Sequence, residues 1–118
     1  MFTVKRDFYF EAAHHIPNHP SECAQLHGHR WKVTISLSTK KQNEGTGISI
    51  DFKEIKDSLE PFIMKYDHKY LNNFFDQPSA ENIAYTIFQE VKKHLHEHST
   101  LTGITVREGR DTEVTYYE

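Results

Sequence analysis

From Phe2 to His14 apolar and polar residues alternate: Phe2, Val4, Phe8, Phe10, Ala12 and His14 share one parity, broken only by Arg6, while Thr3, Lys5, Asp7, Tyr9, Glu11 and Ala13 share the other. Successive side chains of a strand point to opposite faces, so the pattern predicts a strand with one buried face. The same alternation returns from His27 to about Thr39, with Trp31, Val33, Ile35 and Leu37 on one face and Lys32, Thr34, Ser36 and Ser38 on the other. Between the two, residues 15–23, HIPNHPSEC, carry two prolines with Asn18 and Ser21 and read as an irregular loop. KKQNEGTG, residues 40–47, reads as an exposed turn.

Downstream the period changes. Residues 48–50 read as a short extended piece, and Asp51, with Glu54 three residues later, suits a helix N-cap and its capping-box partner. A helix over about residues 52–66 would bury Ile55, Leu59, Phe62 and Ile63; Pro61 inside it lacks an N–H and predicts a kink or a split. After DHKYLNN and DQPSAEN, Ser79 is placed to cap a second helix, whose stripe Ile83, Ile87, Val91 and Leu95 ends near His96. Two short strands, residues 102–108 and 112–117, joined by a turn at GRD, follow. The order strand, strand, helix, helix, strand, strand predicts an α+β protein, a four-stranded antiparallel sheet with both helices on one face. There is no internal repeat, and 118 residues are expected to form a single domain, 1–118, with enough chain to bury a core.

Composition narrows the classes of function. The 36% hydrophobic, 26% charged and 13% aromatic content is that of a globular protein. No apolar run approaches the roughly 20 residues of a membrane span, and the N-terminus alternates where a secretory signal would be continuously apolar. Together with a single cysteine, which excludes an intrachain disulfide, this predicts a cytoplasmic protein in a reducing compartment. A formal charge of -3 leaves no basic footprint for nucleic acid, while permitting a local basic pocket for a phosphorylated small molecule. The unusual count is nine histidines.

Parity selects among them. His27 and His29 share the parity of Trp31, Val33, Ile35 and Leu37, so both imidazoles face the buried side, about 7 Å apart along the strand. On the first strand His14, not His15, continues the face of Phe8, Phe10 and Ala12. If the two strands pair as an antiparallel hairpin, three imidazoles meet near its open end. Three neutral nitrogen donors suit Zn2+, and three protein ligands plus a water is the catalytic pattern. Any one of these histidines alone would read more simply as a satisfied core or surface residue; three on one inward parity favour a metal site. His94, His96 and His98 lie instead at a polar helix end, where cations suit the C-terminal dipole, and read as a solvated terminus.

Three other residues raise alternatives. Cys23, in CAQLHGHRW (23–31), is a buried inert thiol, the fourth ligand of a closed zinc site, or a reactive group beside a metal whose thiolate serves as base or nucleophile. Asp67 with His68 is either a helix C-terminal cap or a proton-transfer pair. Glu108 shares the inward parity of Ile104 and Val106, where a carboxylate needs a partner. A ligand with a planar pair of N–H donors would satisfy both oxygens; an exposed strand-end Glu beside the turn is the plainer reading.

FEAAH (10–14), CAQLHGHRW (23–31), IDF (50–52), DHKYLN (67–72), PSAEN (78–82) and VREG (106–109) occur in the order and spacing of the 6-pyruvoyl tetrahydropterin synthase / 6-carboxytetrahydropterin synthase family, which the chain resembles over nearly its whole length. The resemblance implies the tunnelling fold: ββααββ subunits whose sheets close a barrel in a trimer, two trimers stacking as a homohexamer, with each site drawing on more than one chain. It implies a catalytic zinc on His14, His27 and His29, with Cys23 as the proton-abstracting thiol kept off the metal. Asp67 with His68 would be a dyad that modulates proton transfer, and Glu108 and Glu81 substrate-binding acids, Glu108 anchoring the guanidine-like edge of a pterin. Gly109 departs from the Thr or Ser that many members carry at that position. The substrate implied is 7,8-dihydroneopterin triphosphate. The queuosine-pathway branch, which CAQLHGH resembles, is a zinc-dependent lyase that forms 6-carboxy-5,6,7,8-tetrahydropterin and releases acetaldehyde and triphosphate. An alternative within the family is 6-pyruvoyl tetrahydropterin synthesis, which stops at triphosphate elimination. A reading of another class is a non-catalytic zinc-stabilised binding module in which Cys23 closes the metal shell. Neither a nucleic acid nor a membrane is implied as a partner.

Overall fold

In the computed structural model, which describes residues 1–40, 42–95 and 98–118, Phe2–His14 (β1) and His27–Thr39 (β2) form the long hairpin that the alternation predicts. Their antiparallel register is unbroken from Phe2 opposite Thr39 to His14 opposite His27. Phe8, Phe10, Ala12, Trp31, Val33, Ile35 and Leu37 point inward and are buried. Phe10 and Trp31 face each other across the strands with their rings stacked at 5.9 Å, and Trp31 Nε1 donates to the Ala12 carbonyl at 3.2 Å, so the indole enters the core with its polar atom satisfied. Burial of one such large apolar side chain contributes about 1.5–3 kcal/mol.

Phe52–Met64 (α1) starts where Asp51 accepts a hydrogen bond from the Lys53 N–H at 2.9 Å. Of the kink or split expected at Pro61, the split does not occur. Pro61 lies in the last turns and forfeits one backbone bond, while Ile55, Leu59 and Ile63 stay buried around it. Phe62 is only partly buried, with its ring 4.5 Å from that of His94. Past the end of α1, Tyr66 turns into the core.

Lys69–Tyr70 (β3) is a two-residue strand parallel to β1 at Ala12 and Ala13, too short to show a period in the sequence. Ala80–Lys92 (α2) is capped by Ser79, whose hydroxyl accepts from the Asn82 N–H at 3.2 Å, and it buries Ile83, Ala84, Ile87, Phe88 and Val91. The helix stops short of the expected end: Leu95 packs on the core from beyond it, and His96 lies outside the described residues. Thr100–Arg107 (β4) and Val114–Tyr116 (β5) complete a five-stranded sheet of order β3-β1-β2-β4-β5, one short strand more than expected. The extended piece at residues 48–50 is not a strand.

A register shift in β4 opposite Ser36 and Leu37 rephases the strand, so that Leu101 and, beyond the shift, Ile104 and Val106 all face inward. That phase carries Glu108, just past β4, toward the same side. α1 packs on β1, and α2 on β4 and β5. Among the described residues, no helix is long and apolar enough to cross a membrane.

Candidate metal centre

β1 ends and β2 begins at the same end of the sheet. His14 is therefore opposite His27, and Ala12 opposite His29, which puts three imidazoles on one face. Their ring centroids lie 4.6 Å (His14 to His27), 4.8 Å (His27 to His29) and 5.4 Å (His14 to His29) apart. His14 is 1% exposed, and the other two are half-buried. Trp31 forms a wall below them, its ring 4.8 Å from His14 and 5.6 Å from His29. One ring nitrogen from each histidine and one carboxylate oxygen of Glu108 all lie within 4.8 Å of one another.

The hydrogen bonds fix which nitrogens are available. His14 Nδ1 is 2.8 Å from the Pro78 carbonyl, and His27 Nδ1 is 2.7 Å from the Gln25 carbonyl. A carbonyl only accepts, so each Nδ1 carries the proton and each Nε2 presents a lone pair. His14 Nε2 and His29 Nε2 are buried without a hydrogen-bond partner. Leaving such an atom unsatisfied costs about 1–3 kcal/mol, a penalty that a coordinated cation removes. Burial also holds the His14 and His29 rings below their ordinary titration range, outweighing the attraction of nearby Glu108, and so favours the neutral form that binds metal. The centre fits zinc: three imidazole nitrogens, two of them oriented by backbone carbonyls, with Glu108 Oε2 3.5 Å from His29 Nε2.

Cys23 stands apart from this donor group. It sits in a 3₁₀ turn, Glu22–Ala24, where its N–H donates to the Ser21 hydroxyl and its carbonyl accepts from the Ile16 N–H at 2.7 Å. The thiol is half-buried and lines a cavity of about 430 Å³ together with Gln25, Leu26 and His27. It is a neighbour of the centre and not part of its donor set.

Asp67 Oδ2 accepts a hydrogen bond from His68 Nδ1 at 2.9 Å. The other oxygen, Oδ1, accepts from the Glu11 N–H at 2.9 Å, and this bond, with the one to His68, holds the Asp67 carboxyl below its ordinary range. The side chain thus caps the edge of β1, a third possibility beyond the helix cap and the proton-transfer pair. His68 adopts the left-handed φ of 58°, rare for a residue with a β-carbon, and its ring is exposed. It borders an open depression of about 640 Å³ that also reaches His29, Arg30, Lys69 and Tyr70. Glu81 is in the first turn of α2, exposed, and outside the donor group. His94 bonds through Nδ1 to the Glu90 carbonyl and is exposed, as is His98.

Reading the sequence brought out the three histidines but not their supports. Those are the carbonyls of Pro78 and Gln25, and a backbone acceptor leaves no residue signature. The inward side of Glu108 was legible from its parity with Ile104 and Val106, but its closeness to His29 was not, because it depends on how β4 registers against β2, with Arg107 opposite Lys32.

The sequence model of the 6-pyruvoyl tetrahydropterin synthase family matches residues 3–118. A 6-carboxy-5,6,7,8-tetrahydropterin synthase of Synechocystis sp. is 33% identical over 99 residues, 79% of this chain and 77% of that protein. A putative enzyme of the same name from Archaeoglobus fulgidus is 40% identical over 83 residues, 70% of this chain and 69% of that one. A dihydroneopterin monophosphate aldolase of Pyrococcus furiosus is 32% identical over 102 residues, covering 86% and 85%. The structure of Caenorhabditis elegans 6-pyruvoyl tetrahydropterin synthase matches with a TM-score of 0.85 at 22% identity, over 99% of this chain and 95% of that one, so the two share the tunnelling fold. The chain belongs to the 6-pyruvoyl tetrahydropterin synthase family.

Proposed function

We propose that the protein is a zinc-dependent lyase that converts 7,8-dihydroneopterin triphosphate to 6-carboxy-5,6,7,8-tetrahydropterin, releasing acetaldehyde and triphosphate, in the cytoplasmic pathway to queuosine. One observation carries this reading: three inward imidazoles with two buried Nε2 atoms that have no hydrogen-bond partner, next to a thiol that stands outside the donor group. The names of the relatives from Synechocystis and Archaeoglobus support the carboxy product.

His14, His27 and His29 hold the metal. Bound there, zinc supplies a Lewis acid that polarises oxygens of the substrate side chain. Cys23, free of the donor set, removes a side-chain proton as its thiolate. Asp67 accepts from His68 Nδ1, which fixes the tautomer and leaves Nε2 to exchange a proton with ligand or solvent in the depression it shares with His29. Glu108, at the rim of the imidazoles, accepts the paired N–H donors of the pterin edge. Glu81, exposed in the first turn of α2 and outside the donor group, is assigned to substrate binding, and each site is completed by a neighbouring chain of a homohexamer built as a dimer of trimers.

A second reading has its own observation. The 32% identity to the Pyrococcus protein favours aldolase cleavage of a dihydroneopterin phosphate side chain. The deciding experiment incubates the zinc-loaded protein with 7,8-dihydroneopterin triphosphate and with the monophosphate, and identifies the pterin and the aldehyde released. The 6-carboxy pterin with acetaldehyde is expected from the triphosphate. A 6-pyruvoyl product without acetaldehyde, or turnover of the monophosphate alone, contradicts the assignment; no turnover of either leaves the non-catalytic binding module as the better account.

A further inference from the structure

The segment between the two helices fastens itself to the edge of β1 next to the metal centre. Asp67 Oδ1 and the His68 N–H engage the N–H and carbonyl of Glu11 at 2.9 and 2.6 Å, β3 pairs with Ala12 and Ala13, and Asn72 closes on His15. There the Asn72 carboxamide takes the place of a strand partner. Its Oδ1 accepts the His15 N–H and its Nδ2 donates to the His15 carbonyl, both at 3.0 Å.

His15 is where the chain leaves the sheet, since the β1–β2 ladder ends at His14 opposite His27. On one side of it is His14, the most buried of the three imidazoles, with an unpartnered Nε2. On the other is Ile16, whose N–H holds the Cys23 carbonyl at 2.7 Å. The peptide clamped by Asn72 thus lies between a candidate ligand and the turn that carries the thiol. The other contact of His15, from its Nδ1 to the Tyr70 hydroxyl at 2.8 Å, is exposed and orients the ring, not the backbone.

We infer that Asn72 is a positioning residue for the metal centre: its paired hydrogen bonds to His15 set the direction in which His14 presents Nε2 and, through Ile16, the place of the Cys23 turn. The inference rests on reading the imidazoles as a metal site. A planar amide that grips both a donor and an acceptor of one residue removes rotational freedom that a water molecule filling the same space would restore.

The test titrates metal-free wild type, Asn72→Ala, Asn72→Asp and Tyr70→Phe with cobalt(II), whose visible absorption reports coordination geometry as well as affinity. Asn72→Ala is expected to weaken binding about 10–100-fold, in the range found for groups that orient metal ligands, and to alter the visible bands while far-ultraviolet circular dichroism stays unchanged. Asn72→Asp keeps the acceptor for the His15 N–H and loses the donor. It is also expected to bind more weakly, although its added negative charge would by itself favour a cation, and it decides the matter if the alanine variant fails to fold. Tyr70→Phe is expected to match wild type. Wild-type affinity and spectrum in the Asn72 variants overturn the inference, as does a loss in Tyr70→Phe equal to that in Asn72→Ala. Failure of the wild type to bind cobalt(II) overturns the metal reading and this inference with it, whereas equal binding by every variant overturns this inference alone.

Discussion

At His14 and His29, burial disfavours the charged ring, and this ties folding to pH. The native rings titrate below 6.5, the ordinary value of the unfolded chain. On acidification the unfolded chain therefore takes up protons first, and the native state loses stability as pH falls from about 6.5 toward the native values; above that window the two rings contribute nothing. Thermal melting of the metal-free protein should give a lower Tm at pH 5.5 than at pH 7.5, with a larger gap when zinc is present, because zinc binds only the neutral rings. A metal-free Tm that is flat or rises on acidification would contradict this account of the site. At this scale the sequence was informative wherever side chains alternate: parity nominated His14 over His15 and placed His27 and His29 beside it. It was silent about Asn72, whose role lies in bonds to main-chain atoms that any residue offers.

At the scale of elements, β1 and β2 have the limits that the alternation predicts, because thirteen residues of period two in each leave little ambiguity of face or register. β3 has two residues and exists because Asp67 and His68 satisfy Glu11 beside it, a tertiary cause with no local pattern. At Pro61 the helix runs on without a split, since the buried residues on either side of it, Leu59 and Ile63, stay in the core. The Ser79 cap was legible and gives a stability prediction. Ser79→Ala removes the acceptor of the Asn82 N–H at the start of α2 and should cost about 1 kcal/mol, read as a fall of about 4 °C in Tm. Because α2 buries six side chains of the core, a change near zero would mean that another group takes over the cap.

Over the whole molecule, the sheet is long and open. The chain extends 54 × 25 × 24 Å, and β3 covers the edge of β1 only at Ala12 and Ala13. Among the described residues, β5 has no strand beyond it. Leu26, Phe52, Phe74 and Tyr117 are exposed as well. Open edges and scattered exposed apolar side chains in one protein favour association with further copies. Six chains of 13.9 kDa make about 83 kDa, the mass expected by light scattering for the proposed homohexamer. A species near the mass of one chain would contradict the proposed homohexamer.

The question that organises the site is whether Cys23 belongs to the metal shell or stands beside it. X-ray absorption at the zinc edge of the loaded protein answers it directly, because a thiolate ligand sits at about 2.3 Å and imidazole nitrogens at about 2.0–2.1 Å. A shell of nitrogen and oxygen scatterers only, unchanged in Cys23→Ala, is the predicted result; a sulfur scatterer that disappears in Cys23→Ala would contradict the open three-histidine centre and the role of the thiol as base.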